Sequence, residues 1–133
     1  MDSETIVPIN TDTDVVTARK RGRELATELG FGSTDSTLLA TAISELARNI
    51  ILYAKYGEIL IAPVQSGDRV GISVVARDKG PGIANISLAM PDGFSTSGSL
   101  GLGLPGVKRV MDEFSLVSDT HNGTMVSIKK WKR

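Results

Sequence analysis

The 133 residues include no cysteine, one histidine and 15 basic against 15 acidic side chains, for a formal net charge of zero. That inventory excludes disulfides, thiol nucleophiles, iron–sulfur clusters and multi-histidine metal cages, and the balanced charge gives no global pull towards nucleic acid or an anionic membrane. The length suits one self-supporting core, no apolar run reaches the ~20 residues of a bilayer span, and Met-Asp-Ser-Glu does not open like a signal peptide, so a single cytoplasmic domain over residues 1–133 is expected.

Residues 5–9 read as a short strand, which Pro8 places at an edge. Apolar residues at three- and four-residue steps predict a helix over 13–29, capped by Asp12 or Thr13 and stopped by Gly30. A longer helix follows, capped by Ser33 or Thr34 and running to about Tyr53, with a buried stripe of Leu39, Ala42, Ile43, Leu46, Ile50 and Tyr53. Residues 58–64 and 69–77 are β-rich runs joined by a four-residue loop, Gln65-Ser66-Gly67-Asp68. Beyond a turn cluster at Asp78-Lys-Gly-Pro-Gly82, residues 85–90 suggest a short helix and 91–99 have loop composition. A further helix is expected over 104–113, with Pro105 in its first turn, and two strands over 114–118 and 124–131 close the chain. This order, without regular βαβ alternation, predicts an α+β, two-layer sandwich: a mixed or antiparallel sheet with helices on one face.

Three constellations stand out. Glu45 and Asn49 are four residues apart on the long helix, so their carboxylate and amide share a face. At ~100° per residue they lie about 80–120° from the centre of the apolar stripe, at the margin between core and solvent. There a carboxylate can deprotonate a hydroxyl and an amide oxygen can ligate a hard cation such as Mg²⁺. Arg48, opposite the stripe, reads as solvated. Asp78, at the mouth of an apolar strand and followed by Gly80 and Gly82, can accept a hydrogen bond from an exocyclic amine while bare backbone packs on its ring. Gly101-Leu-Gly103-Leu-Pro-Gly106 leads into a helix and offers N–H groups to phosphates. It matches G-x-G-x-x-G, but no strand precedes it and too little chain follows for a dinucleotide fold. Taken singly, each feature is also what an ordinary turn or a solvated helix face looks like. The cationic tail, Lys129-Lys-Trp-Lys-Arg133, reads as a solvated last strand.

In order and spacing, Glu45-Leu-Ala-Arg-Asn49, Asp78-Lys-Gly-Pro-Gly82, Gly101-Leu-Gly103 and Asn122-Gly-Thr124 resemble the N, G1, G2 and G3 boxes of the GHKL (Bergerat-fold) ATPases and kinases. The resemblance spans residues 38–131. Within that superfamily, the stretches 43–49, 92–98 and 103–109, with Met111-Asp-Glu-Phe114, look like the anti-sigma-factor serine kinases of the RsbT type. The resemblance implies ATP and Mg²⁺ as cofactors, with Asn49 on the metal and Glu45 activating the attacking hydroxyl. It implies that Asp78 reads the adenine amino group, that Gly80 and Gly82 permit close approach, and that Thr124 completes the adenine pocket. Gly101 and Gly103 would line the phosphates at the end of a lid over 83–100. Substrates would be STAS-domain proteins of the RsbS and RsbR type, and the free kinase would activate a PP2C-type phosphatase of the RsbU type. Pro105-Gly106 departs from the wider superfamily, which places a helix former after the G2 glycines. An anti-sigma factor or adaptor that works by sequestration, with nucleotide as effector, is the alternative.

Overall fold

A computed structural model describes residues 4–79, 103–119 and 123–133. The expected helix over 85–90, the loop over 91–99, and Gly80, Gly82 and Gly101 lie outside the described residues.

The first strand, β1 (Thr5–Ile9), leads into α1 (Asp12–Glu28), whose N-cap is Thr11 rather than Asp12 or Thr13. The Asp14 carboxylate reaches back to the N–H groups of Asn10 (2.8 Å) and Thr11 (3.0 Å), the reciprocal half of a capping box. Those backbone donors hold its pKa below the usual 3.8. The second helix, α2 (Ser33–Ala54), begins from Gly32, one residue before the expected caps. Its stripe is buried at Leu39, Ala42, Ile43, Leu46 and Ile50, and only Tyr53 stays half-exposed. Gly22 is where α1 meets α2: a Cβ there would overlap the Ile43 side chain.

Strands β2 (Gly57–Ser66) and β3 (Arg69–Asp78) are longer than their β-rich cores and pair down to Ser66 and Arg69. The connection is therefore a two-residue turn, Gly67-Asp68, not a four-residue loop. Gly67 takes φ +60 at the first turn position, the glycine-dependent geometry whose twist matches that of the flanking strands. A short helix, α3 (Gly103–Val110), ends three residues before the expected Glu113 because Glu113 opens β4 (Glu113–Asp119). Strand β5 (Gly123–Trp131) completes the sheet.

The sheet order is β1-β2-β3-β5-β4, and every neighbouring pair is antiparallel. Alternation along the strands sends Val7, Ile9, Ile59, Ile61, Ile72, Val74, Val126 and Ile128 into one core with α1 and α2. Helices thus cover one face, and Ile6, Val117 and Met125 stay exposed on the strands. The same period of two turns Lys130 inward. Only 3% exposed, its ammonium donates to the Val110 carbonyl at 3.0 Å and lies 3.6 Å from Asp35, so the basic tail is not a solvated strand throughout.

Candidate nucleotide-binding site

The candidate site lies where α2 crosses the ends of β3 and β5 and the start of α3. From α2, Leu46, Asn49, Ile50 and Tyr53 form one wall of a pocket; Ala76 and Asp78 of β3, Thr124 and Val126 of β5, and Leu104 of α3 form the rest. Antiparallel pairing of β3 with β5 brings Asp78 and Thr124 together across 46 positions of sequence, and the Thr124 N–H points at Asp78 Oδ1 at 3.4 Å. The Thr124 and Ser118 hydroxyls, 2.9 Å apart, fix that corner. Gly123, at φ +89, lets the β5 backbone run directly against the carbonyl of Asp78 and the Cα of Lys79. Burial pushes the Tyr53 phenol above its ordinary pKa of 10. Apolar walls with one carboxylate and one amide match the chemistry of a planar, amino-bearing heterocycle, but at about 20 Å³ the pocket has room for little more than a water and must widen to admit one.

Of the expected site residues, Asn49, Asp78 and Thr124 share this pocket. Glu45 sits one turn away on α2 and is not at a solvent margin: it is buried, 5% exposed. Helical arithmetic could not foresee that, because α3 packs across α2 from a distant part of the chain. Glu45 Oε2 accepts the N–H of Gly103, the first residue of α3, at 3.1 Å, and Oε1 accepts from Arg48 Nη1 at 2.9 Å. Arg48 is thus bonded rather than simply solvated. Gly103, expected at the phosphates, here serves the carboxylate. The apolar lining residues Leu46, Ile50, Ala76, Leu104 and Val126 were not singled out as site residues; their signal was the continuation of the apolar stripe beside Asn49 and along the strands.

Among the described residues no group of three or more His, Asp or Glu could cage a metal. Asn49 offers a single amide oxygen at the pocket, which fits Mg²⁺, an ion that keeps several waters and takes its remaining ligands from substrate phosphates.

A family model described as histidine kinase-, DNA gyrase B-, and HSP90-like ATPase matches residues 34–133. The chain belongs to this family. It is 53% identical over 133 residues, all of both chains, to the serine/threonine-protein kinase RsbT of Bacillus subtilis. It is also 34% identical over 101 residues to an anti-sigma F factor of Geobacillus thermodenitrificans, covering 71% of this chain and 68% of that one. These place it with the serine/threonine kinases of the anti-sigma-factor group, of the RsbT type. In fold it is similar to a crystal structure of the RsbU and RsbW domains of a Mycobacterium tuberculosis protein, with a TM-score of 0.64 at 20% identity, although it spans only 33% of that longer chain. It also resembles the SiaB–SiaC complex structure from Pseudomonas aeruginosa, with a TM-score of 0.55 at 15% identity over 97% of this chain and 89% of that one. No helix among the described residues is long and apolar enough to cross a membrane.

Proposed function

We propose that residues 1–133 form one kinase domain that uses Mg-ATP to phosphorylate serine or threonine hydroxyls on STAS-domain partners of the RsbS and RsbR type. When released from those partners, it binds and activates a PP2C-type phosphatase of the RsbU type. The observation that carries this reading is the meeting of Asn49, Asp78 and Thr124 in one apolar-walled pocket, with a buried carboxylate one helical turn away. Whole-chain similarity to RsbT supports the substrate and partner classes.

Asp78 accepts a hydrogen bond from the adenine amino group, Gly80 and Gly82 let the ring approach, and Thr124 closes the pocket. Gly101 lines the phosphates, Gly103 stands beside them with its N–H given to Glu45, and Asn49 holds Mg²⁺, which would offset phosphate charge when bound. Glu45 orients the substrate hydroxyl and receives its proton. The hydroxyl oxygen bonds to the γ-phosphorus as the bond to the β–γ bridging oxygen breaks, and that electron pair leaves with ADP. Two of the roughly four acceptor sites of the Glu45 carboxylate are occupied by Arg48 and Gly103, so a lone pair remains for the proton.

The test separates binding from chemistry. Asp78→Asn is expected to abolish ATP binding, whereas Glu45→Ala keeps binding and loses transfer. ATP binding by Asp78→Asn at wild-type affinity would show that the pocket assignment is wrong. The similarity to an anti-sigma F factor favours a second reading, a nucleotide-regulated anti-sigma factor or adaptor acting by sequestration. That reading predicts a stable complex with an unphosphorylated partner.

A further inference from the structure

The Glu45 carboxylate is gripped from two sides. Its side chain is 6% exposed, yet the Arg48 side chain that meets it at 2.9 Å is 48% exposed. An ionised carboxylate that is this buried is costly unless a cation and polar donors face it. Here the donor is the Gly103 N–H and the cation is Arg48. Several other charged groups on the elements packed against α2 have partners of their own or stand exposed. On α3, Lys108 and Arg109 stand exposed in the last turn, and Gly103–Val107 carries no charge. Lys130 of β5 is tied to Val110 and Asp35, Arg21 of α1 to Glu24, Arg23 of α1 to Thr37, and Glu58 of β2 to Arg77 of β3. Asp78 lies at the pocket with Thr124. Arg48 itself is not among the residues that line the pocket.

We propose that Arg48 is a positioning residue for phosphoryl transfer: by holding Oε1 it fixes the Glu45 carboxylate and aims the other oxygen at the N-terminus of α3, where the substrate hydroxyl must release its proton. This rests on the reading of Glu45 as the proton acceptor. Without the guanidinium, Oε1 loses the partner that holds the carboxylate in this orientation. Arg48 does not line the nucleotide pocket, so the effect belongs in kcat rather than in ATP affinity.

The experiment compares wild type, Arg48→Ala, Arg48→Lys and Glu45→Gln as full chains, with MgATP and an RsbS-type STAS protein as the probes. ATP affinity, kcat and the KM for the STAS protein are measured. Arg48→Ala is expected to bind ATP within about two-fold of wild type and to lose about ten-fold in kcat. Arg48→Lys should restore most of kcat. An unchanged kcat in Arg48→Ala would overturn the proposal. So would a fall in ATP affinity that matches the fall in kcat, which would make Arg48 a phosphate contact, or a rise in the KM for the STAS protein with kcat unchanged, which would make it a docking residue. Glu45→Gln keeps the two claims apart: persisting transfer removes the proton-acceptor role itself, while a dead Glu45→Gln beside a silent Arg48→Ala removes only the positioning role. Circular dichroism and melting monitor the fold, with Arg48→Gln as the replacement if the alanine variant does not fold.

Discussion

Gly123 is the position at which the structure makes its sharpest claim about the backbone of the pocket. An alanine Cβ there would overlap the Asp78 carbonyl oxygen and lie 2.7 Å from the Lys79 Cα and 2.8 Å from the Asp78 carbonyl carbon, while keeping φ at +89. Gly67 provides the reference, since it has φ +60 but nothing within 4 Å of an added Cβ. Gly67→Ala should therefore cost only the left-handed strain, about 1 kcal/mol. Gly123→Ala adds a backbone collision that no side-chain rotation relieves, and overpacking of that kind costs about 1–3 kcal/mol more. For 133 residues, 1 kcal/mol corresponds to a Tm shift of about 3–4 °C. The expected losses are thus about 3–4 °C for Gly67→Ala and about 7–14 °C for Gly123→Ala, read by thermal melting with urea titration as a check. Gly123→Ala should also weaken ATP binding, because the atoms that must retreat belong to Asp78 and Lys79. Equal Tm losses in the two variants would refute the packing of β5 on the Asp78 backbone.

Two further outcomes follow from the core and from the end of the chain. Leu39 is fully buried between α2 and its neighbours, and Leu39→Ala should cost about 2–5 kcal/mol in urea denaturation with little change in ATP affinity measured on the folded protein. Asp112 is pushed up by partial burial, but the Trp131 N–H at 2.7 Å and the cations Arg133 and Lys130 outweigh this and hold its pKa below 3.8. A carboxylate depressed in the folded state stabilises the fold above its ordinary value, and that contribution is lost as pH falls through the lower, folded value. Stability measured by urea titration should therefore decline as pH drops below about 3.8, and Asp112→Asn should flatten that part of the profile.

The helices and strands were legible because each carries its own period. The apolar steps of Leu39, Ile43, Leu46 and Ile50 mark α2 without reference to the rest of the chain. Thr11-Asp12-Thr13-Asp14 also carried a capping-box signature, with Asp14 reaching back to the Thr11 N–H, although the cap was expected one or two residues later. The inward turn of Lys130 is in principle visible from Val126 and Ile128, four and two residues before it, but its charge argues against burial until a partner such as Asp35 is in view. What local pattern could not supply was the placement of α3. Its Gly103 N–H meets a carboxylate 58 residues earlier, and Glu45 is buried beneath that contact with Arg48 on its other oxygen. The hairpin was misjudged for a related reason: pairing continued through Gln65 and Ser66, polar residues that propensity assigned to the loop, because their backbones still found partners in Val70 and Arg69.

The account's central claim is transfer of phosphate, and it is tested most directly by incubating the chain with γ-labelled ATP, Mg²⁺ and an RsbS-type STAS protein, then mapping the product by mass spectrometry. The account predicts label on one serine or threonine hydroxyl of the partner, none with Glu45→Ala, and retained ATP binding by that variant. An unlabelled partner held in a stable complex with the wild-type chain would contradict it and make the protein a nucleotide-regulated adaptor.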